Sequence, residues 1–270
     1  MCRVAAYVGS GTPLSTLLYD PPHSLEHQAY APEQMLRGHV NVDGTGVAWW
    51  PTDGEPGNPP LRYVSDRPPW SDPNLPGLAA RLEASMALAA VRSATPGVPF
   101  GPGNLAPFVH GGLAGVHNGW LGRFREGTGR ALAARLPDHL YAAVDAVSDS
   151  LLVFLTVVRH LETGPTDLVG ALRAAASEIF EVCAGEGAEA TLNVVIGDGE
   201  RLVAARTARG TEGNNPLHVL QGGLGGTGGT LLASEPLDAD PGWQAIGDDQ
   251  IVEVTADGYV TTPLEVGPRR

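Results

Sequence analysis

The order of hydrophobic periods constrains the fold of this 270-residue chain more than any other feature. Short apolar stretches typical of strands come first: RVAAYV, TGVAWW, LRYV, MALAAVRSA and GGLAGVHN. From about Tyr141 to Cys183 the period lengthens to that of amphipathic helices, in VSDSLLVFLTVVRHLE and DLVGALRAAASEIFEVC. Strand texture then returns in ATLNVVIGD, RLVAARTA, LHVLQ, TLLASEPL and IVEVTADGYVTT. This order predicts an α+β fold of two sheets with helices packed outside them.

Glycine and proline punctuate the chain, with 36 and 23 residues, which predicts many short strands joined by turns and few helices. The two long helices have polar residues at their starts. Ser148 or Asp149 is expected to cap the first helix, and Thr166 or Asp167 the second. The length of the chain suits one domain spanning residues 1–270.

Charge and cysteine content exclude several classes of function. A formal net charge of −13 disfavours binding to nucleic-acid backbones or anionic lipid, so neither nucleic acid nor a membrane is an expected partner. The N-terminus lacks the pattern of a signal peptide, and no apolar stretch reaches membrane-spanning length, which predicts a cytoplasmic protein. Two cysteines cannot form a disulfide framework and are expected to be free thiols.

Cys2 follows the initiator methionine, a poor position for a structural cysteine because chain ends fray and exposed thiols oxidise. If Met1 is removed, Cys2 carries both a thiol and a free α-amine. An α-amine has an intrinsic pKa of about 7.7–8.0, so it can accept the thiol proton near neutral pH. Nucleophile and base would then belong to one residue. An active site also needs residues elsewhere in the chain that bind the substrate and stabilise the oxyanion.

One candidate partner is VHNGW, residues 116–120, where an apolar strand ends in an amide side chain followed by glycine. The Asn118 side-chain amide and the Gly119 N–H form a possible oxyanion hole for a thiolate attacking an amide carbonyl. A β-turn of the Asn-Gly type explains the same two residues.

Charged residues at the ends of apolar runs supply a second set of candidates. Arg92 follows an apolar run, where an unpaired charge is costly to bury, and its guanidinium suits a substrate carboxylate, with Thr95 adding a hydroxyl. Asp149 could hold a substrate ammonium, although a helix N-cap is the simpler role. Together with Cys2 these residues outline a pocket for a glutamyl group.

The sequence resembles the class II glutamine amidotransferase branch of the N-terminal-nucleophile (Ntn) hydrolases, and within it the γ-glutamyl-hercynylcysteine sulfoxide hydrolase family of ergothioneine biosynthesis. The resemblance covers most of the chain and is carried by MCR, LLYDPPHSLEHQAYAP, NVDGTG, SDRPPWSD, AAVRSATPGVPFGPGNLAPF, VHNG, SDS and LLASEPLDADPGW. It implies a four-layer αββα sandwich of two antiparallel sheets flanked by helices, and hydrolysis of a γ-glutamyl amide through a cysteine thioester.

The resemblance also implies roles for individual residues. Cys2 is the nucleophile after removal of Met1, and Asn118 with Gly119 forms the oxyanion hole. Arg92 and Asp149 hold the glutamyl backbone. His117 supports the loop, and Asp43 and Gly44 belong to a segment near the pocket that a turn explains equally well. No metal and no cofactor is expected, and the only expected partner is a small γ-glutamyl substrate.

Two departures from this family concern the leaving-group side. Val4 stands where the family commonly has histidine, and Thr45 where it has tryptophan. Their loss is expected to leave the glutamyl chemistry intact but to alter the choice of leaving amine, so a paralogue acting on another γ-glutamyl substrate is an alternative.

Three other functions remain open at the level of sequence. The chain is a candidate glutaminase subunit that supplies ammonia to a separate synthase, although no synthase domain is expected within its length. His23, Glu26 and His27 match the H-x-x-E-H signature of inverted zinc peptidases. A non-catalytic γ-glutamyl-binding protein is the third alternative, disfavoured because nucleophile, oxyanion donors and both charged residues are all present.

Overall fold

The computed structural model describes residues 2–55, 57–94, 101–164, 166–211 and 213–266. Thr95 lies outside the described residues. The strands are β1 (Arg3–Pro13), β2 (Thr45–Pro51), β3 (Leu61–Ser65), β4 (Glu83–Val91), β5 (Phe108–His110), β6 (Leu113–His117), β7 (Trp120–Leu121), β8 (Ala190–Gly197), β9 (Leu202–Arg209), β10 (His218–Gln221), β11 (Thr230–Ala233), β12 (Gln244–Ala245), β13 (Gln250–Thr255) and β14 (Gly258–Pro263). The α-helices are α1 (Ser15–Leu18), α2 (Leu25–Tyr30), α3 (Leu75–Ala79), α4 (Gly129–Ala133), α5 (Asp138–Tyr141), α6 (Asp149–Thr163) and α7 (Leu168–Gly185).

The strands form two antiparallel sheets. The first has the order β12-β10-β11-β1-β4-β2-β3, which places β1 between β11 and β4 at its centre. The second has the order β14-β13-β9-β8-β6-β5, and β7 also pairs with β8. Because β1 is central, the strand that begins one residue after Cys2 is paired on both sides.

Alternating side chains divide the interior into three apolar layers. Val4, Ala6 and Val8 of β1 face the second sheet, while Ala5 and Tyr7 face helices α1 and α2. On the far side of the second sheet, α6 and α7 bury a third cluster against β8 and β9. The predicted four-layer αββα arrangement is thus confirmed.

The two long helices begin where the sequence predicts. Ser148 caps α6 by accepting a hydrogen bond from the Leu151 N–H, and Asp167 caps α7 by accepting one from the Gly170 N–H. The five shorter helices were not predicted, because single turns have little helical signal of their own and are stabilised by tertiary packing. No helix in the described ranges is both long enough and apolar enough to cross a bilayer.

Candidate active site

A cleft opens where β1 begins and β4 and β6 end, near the start of α6. The cleft has a volume of about 40 Å³ accessible to water-sized molecules and is partly open to solvent. The residues that line it are Cys2, Gly44, Ala90, Arg92, Ser93, Asn104, Leu105, Ala106, Phe108, His117, Gly119, Ser148, Asp149 and Ser150. Residues from distant parts of the sequence therefore meet at one cleft: the candidate nucleophile, one candidate oxyanion donor and both candidate charged residues.

Cys2 is fixed through its own carbonyl group. The Nε of Arg3 donates a hydrogen bond to the Cys2 carbonyl oxygen at 2.9 Å, and the Arg3 side chain is fully buried. Two residues further on, the Val4 N–H donates to the Ser234 hydroxyl at 3.0 Å. Cys2 itself is partly exposed and lines the cleft, and the strand that holds it begins at the next residue.

Glu235 neutralises the buried Arg3. Its Oε1 lies 3.1 Å from the Arg3 Nη1, and its Oε2 accepts from His23 Nε2 at 2.7 Å and from the Glu33 N–H at 2.8 Å. Burial raises the pKa of Glu235, but the hydrogen bonds from His23 and from the backbone, with the Arg3 charge, outweigh it and leave that pKa below its ordinary value. The carboxylate is therefore ionised and bonded on both oxygens.

The Asn118–Gly119 pair lies directly after β6. Asn118 is 1% exposed, and its Nδ2 donates at 3.3 Å to the Ser234 hydroxyl, which also accepts the Val4 N–H of β1. A Cβ at Gly119 would collide with the Thr191 carbonyl oxygen and with the ring of His117, so only glycine fits. Among the described residues, the Gly119 N–H has no hydrogen-bond acceptor, unlike that of Asn118, which donates to the Asn193 carbonyl.

His117 supports this loop from behind. Burial lowers its pKa, against the opposing effects of Asp149 and of the Thr191 carbonyl. The ring is therefore neutral, with Nε2–H donating to the Thr191 carbonyl at 3.0 Å and Nδ1 lying 3.1 Å from the Ser150 hydroxyl. A neutral imidazole held at both nitrogens suits a structural role.

Arg92 lies just beyond β4 and is 8% exposed. Its N–H donates to the Gly44 carbonyl at 2.8 Å, and its carbonyl accepts from the Asp43 N–H at 2.9 Å. The Asp43 carboxylate accepts from the Ala94 N–H at 2.7 Å. Gly44 lines the cleft, while Asp43 holds the segment that carries Arg92.

Asp149 is the first residue of α6 and is 8% exposed. Ser148 is the N-cap, so the carboxylate of Asp149 is not needed for that role. Its Oδ2 accepts from the Leu121 N–H at 3.2 Å and its Oδ1 from the Ser150 N–H at 2.8 Å. These bonds aim a negative charge into the cleft, on the wall that also contains His117.

Sequence reasoning missed several residues of the cleft and its support. Ser93, Asn104, Ser148 and Ser150 line the cleft, and their small polar side chains give no distinctive pattern. The loop of Asn104 is braced by Arg62, whose guanidinium donates to the Pro107 and Leu105 carbonyls, each at 2.7 Å. Glu235 could have been found from the sequence, because it is a charged residue at the end of the apolar run TLLAS and a buried charge needs a partner.

The two departures from the family pattern lie away from the cleft wall. The Val4 side chain is packed between the sheets at 2% exposure. Thr45 is fully buried, and its hydroxyl donates to the Arg67 carbonyl at 2.9 Å. Neither is among the described residues that line the cleft, so both differ from the family pattern without directly changing its wall.

The H-x-x-E-H segment has a structural role in this fold. His23 precedes α2 and binds Glu235, so the two histidines do not share a helix as the zinc signature requires. His23 Nδ1 lies 3.0 Å from His27 Nδ1. Over the described ranges, no group of three or more His, Cys, Asp or Glu side chains has a geometry that could hold a metal ion.

Comparison with curated proteins finds relatives over the whole chain. The chain is 34% identical over 264 residues to a gamma-glutamyl-hercynylcysteine sulfoxide hydrolase of Mycolicibacterium smegmatis, covering 98% of this chain and all of that protein. It is 34% identical over 271 residues to the protein of the same name from Mycobacterium tuberculosis, with both chains fully covered. No family model matches the chain.

Solved structures support the same architecture. A glutamine aminotransferase class-II domain protein from Silicibacter pomeroyi aligns with a TM-score of 0.69 at 22% identity, over 98% of this chain and all of that one. The glutamine phosphoribosylpyrophosphate amidotransferase of B. subtilis aligns with a TM-score of 0.67 at 14% identity, over 99% of this chain and 50% of that one. At these identities the likeness concerns the fold.

Proposed function

The chain belongs to the family of the gamma-glutamyl-hercynylcysteine sulfoxide hydrolases, and from this premise we propose that it hydrolyses the γ-glutamyl amide bond of γ-glutamyl-hercynylcysteine sulfoxide. The products are glutamate and hercynylcysteine sulfoxide. By the sequence resemblance, this reaction is a step of ergothioneine biosynthesis. The observation that carries the proposal is the single cleft lined by Cys2, Gly119, Arg92 and Asp149.

The substrate is oriented by two charges of opposite sign. The Arg92 guanidinium binds the α-carboxylate of the glutamyl group, and the Asp149 carboxylate binds its α-ammonium. With both ends of the amino-acid moiety fixed, the γ-carbonyl carbon is directed toward Cys2 and its oxygen toward Asn118 and Gly119. This arrangement selects γ-glutamyl compounds whatever amine they contain.

The reaction proceeds through a thioester. The α-amine of Cys2, free after removal of Met1, takes the thiol proton, and the thiolate attacks the γ-carbonyl carbon. The Asn118 amide and the Gly119 N–H stabilise the oxyanion, each worth about 3 kcal/mol in comparable sites. Collapse breaks the C–N bond, and the amine leaves with the proton held by the α-ammonium. Water then hydrolyses the thioester, which releases glutamate and restores the thiol.

The test compares two cysteine variants on the synthetic sulfoxide substrate, with glutamate release as the readout. Cys2→Ala is expected to lower kcat by about 10³-fold or more with unchanged thermal stability, because only the nucleophile is lost. Cys183→Ala is the matched control. Cys183 is buried in α7, and burial raises its pKa to about 12, so its thiol is inert.

Two results would contradict the proposal. Turnover by Cys2→Ala at the parental rate would exclude the thioester. Faster hydrolysis of free glutamine than of the sulfoxide would favour a glutaminase that supplies ammonia. Intact mass after treatment with 6-diazo-5-oxo-norleucine adds an independent check, since the proposal expects loss of Met1 and one adduct on Cys2.

A further inference from the structure

The oxyanion hole contains a side-chain amide whose two ends have nearly the same shape and opposite hydrogen-bonding character. The Asn118 carboxamide stabilises an oxyanion only if its NH₂ end, and not its oxygen, faces the side of the cleft where Cys2 lies. A reversed carboxamide would present a second oxygen to the negative charge. The surrounding contacts must therefore determine the orientation.

Ser234 does not make this choice. Its hydroxyl lies 3.3 Å from Asn118 Nδ2, on the side of β1 and the nucleophile. A hydroxyl can both donate and accept, so Ser234 would bond either end of the carboxamide. The choice has to come from the opposite end of the Asn118 side chain.

That opposite end contacts Asn215. The Nδ2 of Asn215 donates to Asn118 Oδ1 at 3.1 Å, and both side chains are 1% exposed. Asn215 is itself a carboxamide, but its Oδ1 accepts from the backbone N–H of Leu36 at 3.2 Å. A backbone N–H can only donate, so it fixes the oxygen of Asn215 toward Leu36 and the NH₂ toward Asn118. The Asn118 oxygen is fixed in turn, and its NH₂ end lies at Ser234.

The Asn215 backbone is also held in place. Its carbonyl accepts from Asn193 Nδ2 at 2.7 Å and from Arg206 Nε at 2.9 Å. Asn193 in turn accepts, through its own carbonyl, the Asn118 N–H at 2.8 Å. The main chain of Asn118 is thus held by Asn193 and its side chain by Asn215, and these two neighbours are bonded to each other.

We propose that Asn215 is a positioning residue for the hydrolysis, which sets the orientation of the Asn118 carboxamide so that its NH₂ group serves the oxyanion. This inference rests on the proposed function of Asn118. It assigns Asn215 no contact with substrate and no proton transfer.

The substitution Asn215→Asp tests this with almost no change in shape. A carboxylate still accepts from the Leu36 N–H but cannot donate to Asn118 Oδ1. The carboxamide of Asn118 then reverses to donate to the introduced carboxylate, and its oxygen turns toward the oxyanion. We expect kcat to fall about 100-fold, within the range for loss of one oxyanion donor, and KM to change less than about threefold because Arg92 and Asp149 are untouched.

The neighbouring residue provides the matched control. Asn214 is also buried, at 5% exposure, and its Nδ2 donates to the Thr207 carbonyl at 2.9 Å and to Asn193 Oδ1 at 3.3 Å, and not to Asn118. Asn214→Ala removes a buried carboxamide at the adjacent position without placing a carboxylate against these oxygens, and it is expected to keep kcat within about threefold of the parental value. Iodoacetamide alkylation of Cys2, mapped by peptide mass, is expected at the parental rate in both variants because it forms no oxyanion.

Hydrolysis by the parental enzyme and its loss in Cys2→Ala are measured first, so failure there overturns the proposed function together with this inference. Where they hold, a folded Asn215→Asp variant with kcat within threefold of the parental value overturns the inference alone, as does a loss confined to KM. If Asn215→Asp does not fold, Asn215→Ala decides: it removes the donor that fixes the Asn118 oxygen, so only about half of the molecules keep the NH₂ group toward the oxyanion. A kcat about twofold lower at parental KM supports the inference, and a parental kcat refutes it.

Discussion

Replacing Glu235 by glutamine would leave the guanidinium of Arg3 in the core without its counter-charge. Both side chains are at 0% exposure, and the pair lies 3.1 Å apart. The carboxamide keeps nearly the same volume, so no cavity forms. Its NH₂ group, however, would face either Arg3 or His23, both of which donate hydrogen bonds to the present carboxylate.

The expected loss of stability follows from this burial. Removing one member of a buried ion pair costs about 3–5 kcal/mol, because the remaining charge is neither paired nor hydrated. We expect about 3 kcal/mol for Glu235→Gln, since the carboxamide oxygen still accepts one hydrogen bond. For a chain of this length that corresponds to a Tm lower by about 6 °C. Because Arg3 also donates to the Cys2 carbonyl, kcat is expected to fall as well.

Urea denaturation of the parental and variant proteins at pH 7 measures this cost. The matched control is Glu126→Gln, which removes an exposed pair with Arg123 and is expected to cost less than about 1 kcal/mol. Because Glu235 has a lowered pKa, its contribution is present above the unfolded value of about 4.3 and is lost as the pH falls through the folded value. A cost below about 1 kcal/mol at pH 7, or one that does not shrink in acid, would refute the reasoning.

Two further predictions concern the oxyanion loop. Gly119→Ala is expected to lower kcat about 100-fold or more, because the added methyl group collides with the Thr191 carbonyl and displaces the N–H that we propose as an oxyanion donor. Steady-state kinetics showing parental kcat would contradict this. His117 has a lowered pKa, so the unfolded chain binds its proton first, and stability is expected to fall as the pH drops below about 6.5. His117→Gln keeps a donor for the Thr191 carbonyl and removes the contribution of His117 to the pH dependence of stability. If the free energy of unfolding changes equally in the two proteins between about pH 7.5 and pH 5.5, the lowered pKa of His117 is contradicted.

The order of strands and helices along the chain could be predicted from the sequence, because it depends on the period of the hydrophobic residues. The short apolar run RVAAYV predicted a strand, and the 3.6-residue period after Ser148 predicted α6. The short helix Leu25–Tyr30 was not readable in this way, because its stability comes from packing of Leu25 and Ala29 against the first sheet.

The candidate nucleophile Cys2 and the candidate binding residue Arg92 were likewise predictable from short local motifs, and the structure brings both to the cleft. The residues that hold these side chains in place were not predicted from the sequence. Arg3 and Glu235 are separated by 232 positions, and Asn118 and Asn215 by 97. The sequence shows that a buried charge or amide needs a partner, but not which residue provides it. That partner is set by the pairing of β1 with β11 and of β6 with β8, which brings distant residues together only when the sheets have formed.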